Sequence, residues 1–102
     1  MFVVNLSYIK PMSEVEKYLK EHMEFIQNMF IQNHIVCSGK KNPRTGGIII
    51  CNFSDESEAR LALNKDPFVI YGVASYELIE FIPTPSVCID GIKEILERNN
   101  SI

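Results

Sequence analysis

Residues 48–53, which read IIICNF, constrain the fold more than any other part of the chain. The run is β-branched and apolar on both faces, as in a strand that is covered on two sides. Such a strand needs a layer of protein against each face of its sheet. At 102 residues the chain is one domain, and we expect its own helices to cover one face of the sheet and leave the other face open.

The first third of the chain predicts a strand followed by a helix. Residues 2–8 alternate in a strand-like way. From about residue 13 to residue 30, apolar side chains recur at about 100° per residue, which predicts one long amphipathic helix. Ser13 and Glu16 form a capping-box pattern at its start.

The rest of the chain predicts three strands and two helices. In order, these are a strand, a strand, a helix, a strand and a helix, at about residues 35–39, 48–53, 54–66, 73–81 and 89–96. Ser54 can cap the second helix. That helix should end at Asp66 in extended backbone, because a following proline disfavours helical φ and ψ.

The predicted order is therefore β-α-β-β-α-β with an extra C-terminal helix. Two helices on one face of a four-stranded antiparallel sheet give an α+β, ferredoxin-like fold. We expect residues 1–83 to form this domain and residues 84–102 to form a C-terminal helical extension. The second face of the sheet is apolar, so we expect a homodimer through this open face.

Composition and charge limit the partners. The formal charge of −3 argues against a nucleic-acid binder, and no apolar run reaches the roughly 20 residues of a membrane span. The N-terminal residues lack a basic signal-peptide region, and three widely separated cysteines fit free thiols in a cytoplasmic protein. No metal-ligand cluster or phosphate-binding glycine loop occurs, so we expect no cofactor.

Two residues stand out as candidates for proton transfer. His22 lies in the apolar stripe of the first helix, and Asp66 projects from the second helix toward the first. A carboxylate beside one imidazole nitrogen fixes the tautomer and leaves the other nitrogen free to exchange a proton. For each residue taken singly, the alternatives are a hydrogen-bonded core histidine and a turn residue that ends a helix.

The hairpin between the second and third strands offers further polar groups. Ser38 and Gly39 at a strand end could present a hydroxyl and a backbone N–H to a ligand, or simply begin the turn. Lys40, Lys41 and Arg44 form a small basic cluster, which could attract an anion or be a solvated loop.

The chain resembles the YciI-like (YCII-related) family of the dimeric α+β barrel superfamily. The resemblance is carried by His22-Met23, by Ser38-Gly39, by Asp66-Pro67-Phe68 with Gly72, and by the strand from Tyr76 to Phe81. It implies a ferredoxin-like dimer and lyase or isomerase-type activity on small cyclic or aromatic compounds. In the pocket, His22 and Asp66 match the acid/base pair, Ser38 matches a pocket serine, and Phe68 matches a wall residue.

The chain departs from that family at two positions. Leu19 stands where an arginine is often found, and Lys40 stands where a proline is usual after Ser-Gly. A carboxylated substrate would therefore need Lys40 or Lys41 as its anion-binding group.

Three hypotheses of function follow. The first is a small enzyme in which His22 shuttles a proton, Asp66 orients the imidazole and Ser38 hydrogen-bonds a ligand oxygen. The second is a non-catalytic binding or regulatory module on the same dimeric scaffold. The third is a structural subunit that uses the apolar sheet face and has no pocket.

Overall fold

Within residues 1–100, which the computed structural model describes with side chains through residue 97, the chain forms four strands and five α-helices. In chain order these are β1 (Phe2–Tyr8), α1 (Met12–Lys17), α2 (Leu19–Ile31), β2 (Ile35–Lys40), β3 (Gly46–Cys51), α3 (Glu56–Leu63), α4 (Pro67–Ile70), β4 (Ala74–Glu80) and α5 (Asp90–Asn100). A short 3₁₀ turn at Pro85–Val87 precedes α5.

The four strands form one antiparallel sheet in the order β2-β3-β1-β4. The register places Phe2 of β1 opposite Cys51 of β3 and Glu80 of β4. This is the strand order of a ferredoxin-like fold, in which each helix crosses over one strand position. The predictions of an α+β, ferredoxin-like fold and of an additional C-terminal helix are confirmed.

The core lies between one face of the sheet and the helices α2 and α3. Because strand side chains alternate, Phe2, Val4 and Leu6 share this face of β1, and all three are at most 4% exposed. They pack with buried side chains of the other elements in two clusters, which include Ile26, Met29, Ile49, Cys51, Ala59 and Leu63 in one and Val15, Phe68, Val73 and Ala74 in the other.

The opposite, open face of the sheet carries the remaining side chains of the same strands. Asn5 of β1 lies between Ile48 of β3 and Glu77 of β4. Ile50 is only half-buried, and Ile79 is 54% exposed. Apolar side chains on this face therefore remain partly in water in the single chain.

The first helical region differs from the prediction in two ways. It is divided at Tyr18, whose backbone (φ −112°, ψ 4°) ends α1 and begins α2. The capping-box prediction is also wrong, because Pro11 is the N-cap residue and no side chain caps α1. Proline fixes its own φ, and the helix begins at Met12, directly after Pro11. Ser13 therefore lies inside the helix and cannot be its N-cap.

Two further differences concern the second helical region. Asp55, rather than Ser54, caps α3, and its carboxylate accepts a hydrogen bond from the Glu58 amide at 2.8 Å. The chain also forms α4, an unpredicted single turn, between Asp66 and β4. None of the helices in residues 1–100 has the length and hydrophobicity of a membrane span.

Candidate functional site

Asp66 is held at the junction between α3 and α4. Its backbone is extended (φ −61°, ψ 126°), as expected for a residue before proline, and it is the N-cap of α4 with Pro67 in the first turn. Its Oδ1 accepts a hydrogen bond from the Phe68 amide at 2.9 Å. The residue is 1% exposed, so both its position and its side-chain direction are fixed by the junction.

His22 reaches this carboxylate from the first turn of α2. Its Nδ1 lies 2.8 Å from Oδ1 and 3.0 Å from Oδ2 of Asp66. The two residues are forty-four positions apart in the chain, and the His22 side chain is only 11% exposed. The structure thus brings together the two residues that the sequence singled out.

The hydrogen bond to Asp66 determines how the imidazole is used. A carboxylate can only accept, so Nδ1 carries the hydrogen and donates it. The neutral ring then keeps a lone pair on Nε2, and no described residue hydrogen-bonds to that atom. Nε2 is therefore the nitrogen that can take or give a proton.

Phe68 lies behind the imidazole rather than in the cavity wall. Its ring stacks on the His22 ring with centroids 3.9 Å apart and planes 3° apart, and Phe68 is 1% exposed. Tyr8 meets the same phenyl ring edge-on, with centroids 5.9 Å apart. Phe68 therefore supports His22 and is not among the residues that line the cavity.

A cavity of about 340 Å³ opens beside His22, between α2 and strands β1 to β3. This is near the lower end of the range for small-molecule sites, about 300–1,000 Å³. Its lining residues are Leu6, Tyr8, Leu19, His22, Met23, Ile26, Ser38, Gly39, Lys40, Arg44, Gly46, Gly47, Ile48 and Ile49. The wall is mostly apolar, with a few polar groups that can orient a ligand.

Ser38 and Gly39, predicted as ligand-binding residues, both line this cavity. Ser38 lies opposite Ile49 in the register, which places it on the helix-covered face of the sheet. Its hydroxyl forms no hydrogen bond with any residue that the structure describes, so it is available to a ligand oxygen. The sequence patterns did not identify Tyr8 as a cavity residue, although the alternation of β1 places it on the same inner face as Leu6.

The division of the helical region at Tyr18 lies one turn before His22. The Tyr18 ring stacks on Tyr71, the residue that follows α4, with centroids 4.2 Å apart and planes 11° apart. The Tyr18 carbonyl accepts a hydrogen bond from the His22 amide at 2.9 Å. The start of α2 therefore contacts the α4 segment through Tyr18 with Tyr71 and through His22 with both Asp66 and Phe68.

Within the described part of the chain, no three His, Cys, Asp or Glu side chains gather as a metal-binding group.

Comparison with known proteins gives one family and one well-matched fold. The YCII-related domain matches residues 1–82. The structure is similar to 5-chloro-2-hydroxyhydroquinone dehydrochlorinase (TftG) from Burkholderia phenoliruptrix AC1100, solved in complex with 2,5-dihydroxybenzoquinone. The likeness has a TM-score of 0.69 at 13% sequence identity and covers 84% of this chain and 98% of that chain. No curated protein matches the chain in sequence.

Proposed function

This chain belongs to the YCII-related family, and we propose that it is an enzyme acting on a small cyclic or aromatic molecule by proton transfer through His22. The observation that carries the proposal is the pairing of His22 with a buried carboxylate at the edge of a cavity. The imidazole is held in one tautomer on one side and faces unoccupied space on the other. Histidine so placed is suited to general acid and base chemistry.

In the proposed reaction, Nε2 of His22 takes a proton from a carbon or hydroxyl of the ring. Asp66 stabilises the imidazolium that forms, and the Ser38 hydroxyl donates a hydrogen bond to the ligand oxygen on which negative charge develops. Return of the proton to another ring atom gives an isomerase, and its delivery to a departing group gives a lyase. Positioned acid or base catalysis contributes about 10²–10⁴-fold in rate.

The structural neighbour supplies the first compounds to test. That protein is a dehydrochlorinase, and its structure contains 2,5-dihydroxybenzoquinone. At 13% identity the likeness concerns the fold alone. That this chain also binds a hydroxylated six-membered ring is therefore part of our proposal. A cavity of about 340 Å³ is consistent with a ligand of one ring.

The test combines binding with turnover. Thermal shift should first identify ligands among 2,5-dihydroxybenzoquinone, chlorinated hydroxyhydroquinones and a metabolite library, and mass spectrometry should then follow their conversion. His22→Gln should still bind a converted ligand and lose about 10²–10⁴-fold in kcat. His34→Gln is the matched control, because that second histidine lies outside the cavity and contacts Phe53 and the Asn52 carbonyl. Ligands that bind without any conversion would instead identify a non-catalytic binding module.

The active form in this proposal is a homodimer joined through the open sheet face. Support comes from the partly exposed isoleucines of this face, including Ile50 and Ile79. A second copy would bury this apolar surface.

Light scattering can test this assembly. Ile79→Asp should give a monomer at micromolar concentration where the wild type is a dimer, because a charge would enter the interface. Ile31→Asp is the control, since Ile31 is an exposed isoleucine at the end of α2. A wild type that is monomeric at that concentration would contradict the proposal.

We place the boundary of the catalytic domain at residue 83, with residues 84–102 as an extension. The family match ends at residue 82, and α5 contributes no residue to the cavity lining among the side chains described. A chain that ends at residue 83 should therefore retain the His22–Asp66 pair and ligand binding. Loss of folding in that shortened chain would contradict this boundary.

A further inference from the structure

The three cations of the β2–β3 hairpin do not act as one cluster. Lys40 and Arg44 line the cavity beside His22, whereas Lys41 does not. Lys41 instead donates a hydrogen bond from Nζ to Oγ of Ser7 at 3.2 Å, on the open face of the sheet. Lys40, the last residue of β2, lies on the same face as Ser38 because strand side chains alternate. Lys41 follows the strand, and its side chain lies on the opposite face.

Charge in the cavity wall is of one sign. Its lining includes Lys40 and Arg44, and it includes no aspartate or glutamate. Asp66 lies beneath the imidazole at 1% exposure and is not a lining residue. A protein with a formal charge of −3 therefore presents two cations and no carboxylate at the surface of this cavity.

The side chains of Lys40 and Arg44 have no hydrogen-bond or ion-pair partner among the residues that the structure describes. The ion pairs of the described residues involve Lys17, Arg60 and His22, and none involves Lys40 or Arg44. The two side chains thus retain their full hydrogen-bonding capacity at the cavity. A guanidinium can bind a carboxylate by two parallel hydrogen bonds, and an ammonium adds a compact charge.

We propose that this site selects a single-ring anion, whose carboxylate or ionised hydroxyl is bound by Lys40 and Arg44 while the ring lies against the apolar wall beside His22. The inference rests on the proposed function for the role of His22 but concerns recognition of the substrate. Leu19, Met23 and Ile26 of α2 supply the apolar wall. The cations thereby fix the orientation of the ring, and the ring atom to be deprotonated faces Nε2.

Recognition by charge predicts a preference between two compounds of equal size. We take 4-hydroxybenzoate and 4-hydroxybenzamide as probes, since they differ in charge and hardly in shape. Titration calorimetry or NMR should show the benzoate bound about 10-fold more tightly, which corresponds to about 1.4 kcal/mol. Its affinity should fall as ionic strength rises, because the cations are partly exposed, while that of the amide should change little.

Neutral variants locate the preference. The double variant Lys40→Gln/Arg44→Gln should bind the two probes equally, and Lys41→Gln, the matched control from the same hairpin, should keep the wild-type preference. Equal affinity of the wild type for both probes, including no measurable binding of either, would overturn the inference. So would an equal loss of preference in Lys41→Gln.

The same titrations in His22→Gln separate this inference from the proposed function. If the preference for the anion persists in His22→Gln and the wild type converts no ligand, recognition of the anion stands and catalysis is rejected. Conversely, turnover that is lost in His22→Gln but is equally efficient in the wild type for an anionic ring and its neutral analogue would leave catalysis standing and reject anion recognition.

Discussion

The ring of Phe68 lies flat against the ring of His22, with centroids 3.9 Å apart and planes 3° apart. The amide of Phe68 meanwhile donates to Oδ1 of Asp66, the same oxygen that lies 2.8 Å from Nδ1 of His22. Three consecutive residues, Asp66, Pro67 and Phe68, therefore fix the imidazole both by its nitrogen and by its face. The Asp-Pro-Phe segment is in this sense a support for one histidine.

Replacing the stacked ring should loosen His22 without removing its hydrogen bond. Because Phe68 is 1% exposed, Phe68→Leu should reduce the free energy of unfolding in urea by about 1–2 kcal/mol. The His22 ring signals in NMR should shift and broaden, while the Nδ1–H tautomer is retained. Phe30→Leu, at a phenylalanine of α2 that is 59% exposed, should change neither quantity. Unchanged His22 signals in Phe68→Leu would show that the stack does not restrain the ring.

Asp66→Asn should weaken the preference of His22 for one tautomer. Asparagine has a single side-chain oxygen, and the Phe68 amide requires it as an acceptor in the place of Oδ1. That oxygen can still accept from Nδ1–H, but the NH₂ in the place of Oδ2, 3.0 Å from Nδ1, favours an acceptor there, so the hydrogen should be shared between Nδ1 and Nε2. Nitrogen-15 NMR of the ring would detect the exchange. The loss of a charge-assisted hydrogen bond should also reduce the free energy of unfolding by about 1.5–3 kcal/mol.

Asp55→Asn is the matched control for this prediction. Asp55 also caps a helix, by accepting a hydrogen bond from the Glu58 amide, but it has no contact with an imidazole. Asparagine caps helices about as well as aspartate, so stability should change by less than about 0.5 kcal/mol and His22 should be unaffected. An Asp66→Asn protein in which His22 remains entirely the Nδ1–H tautomer and stability is unchanged would contradict the assignment of Asp66 as the group that orients the ring.

The approach of His22 to Asp66 could be predicted because it depends on local rules. Helical periodicity places His22 in the buried stripe, and proline after Asp66 makes that residue extended at a helix end. The two helices cover the same face of the sheet in a β-α-β-β-α-β order, so these sites meet. The predicted projection of Asp66 from the second helix was wrong, however, because α3 ends at Leu63 and Asp66 lies beyond it as the N-cap of α4.

The features that sequence reasoning missed depend on contacts between distant segments. Nothing near Tyr18 breaks the helical pattern, and the division there coincides with a stack on Tyr71, fifty-three positions later. The α4 turn did carry a signal, since aspartate followed by proline is typical of an N-cap and first helical position. The position of Arg44 in the cavity wall depends on the path of the hairpin, which residue types alone do not specify.

Burial of Cys51 should make stability depend on alkaline pH. Burial raises the pKa of this thiol from its ordinary value of 9.0 to about 11, although the positively charged N-terminus partly opposes the shift. The thiol therefore ionises first in the unfolded chain. Its contribution to the free energy of unfolding is fully present below about pH 9 and is lost as the pH rises through about 11. The wild type should lose up to about 2 kcal/mol more than Cys51→Val between these values.

The comparison with Cys51→Val is needed because tyrosines and lysines titrate in the same interval. Cys37→Val, at an exposed cysteine of β2, should retain the fall that depends on Cys51. Urea unfolding at several pH values measures both differences. Parallel pH profiles for wild type and Cys51→Val would show that the buried thiol does not contribute.

Gly46 should tolerate no side chain, because the backbone of the neighbouring strand β1 lies too close to it. A Cβ at this position would lie 1.9 Å from the carbonyl oxygen and 2.8 Å from the carbonyl carbon of Leu6, both backbone atoms that cannot rotate away. Gly46→Ala should therefore separate β1 from β3 locally and reduce the free energy of unfolding by about 3 kcal/mol or more. Gly39→Ala in the same hairpin, where no heavy atom lies within 4 Å of the added Cβ, should cost far less. Urea unfolding of the two variants gives the comparison, and equal stabilities would contradict the close approach of these strands.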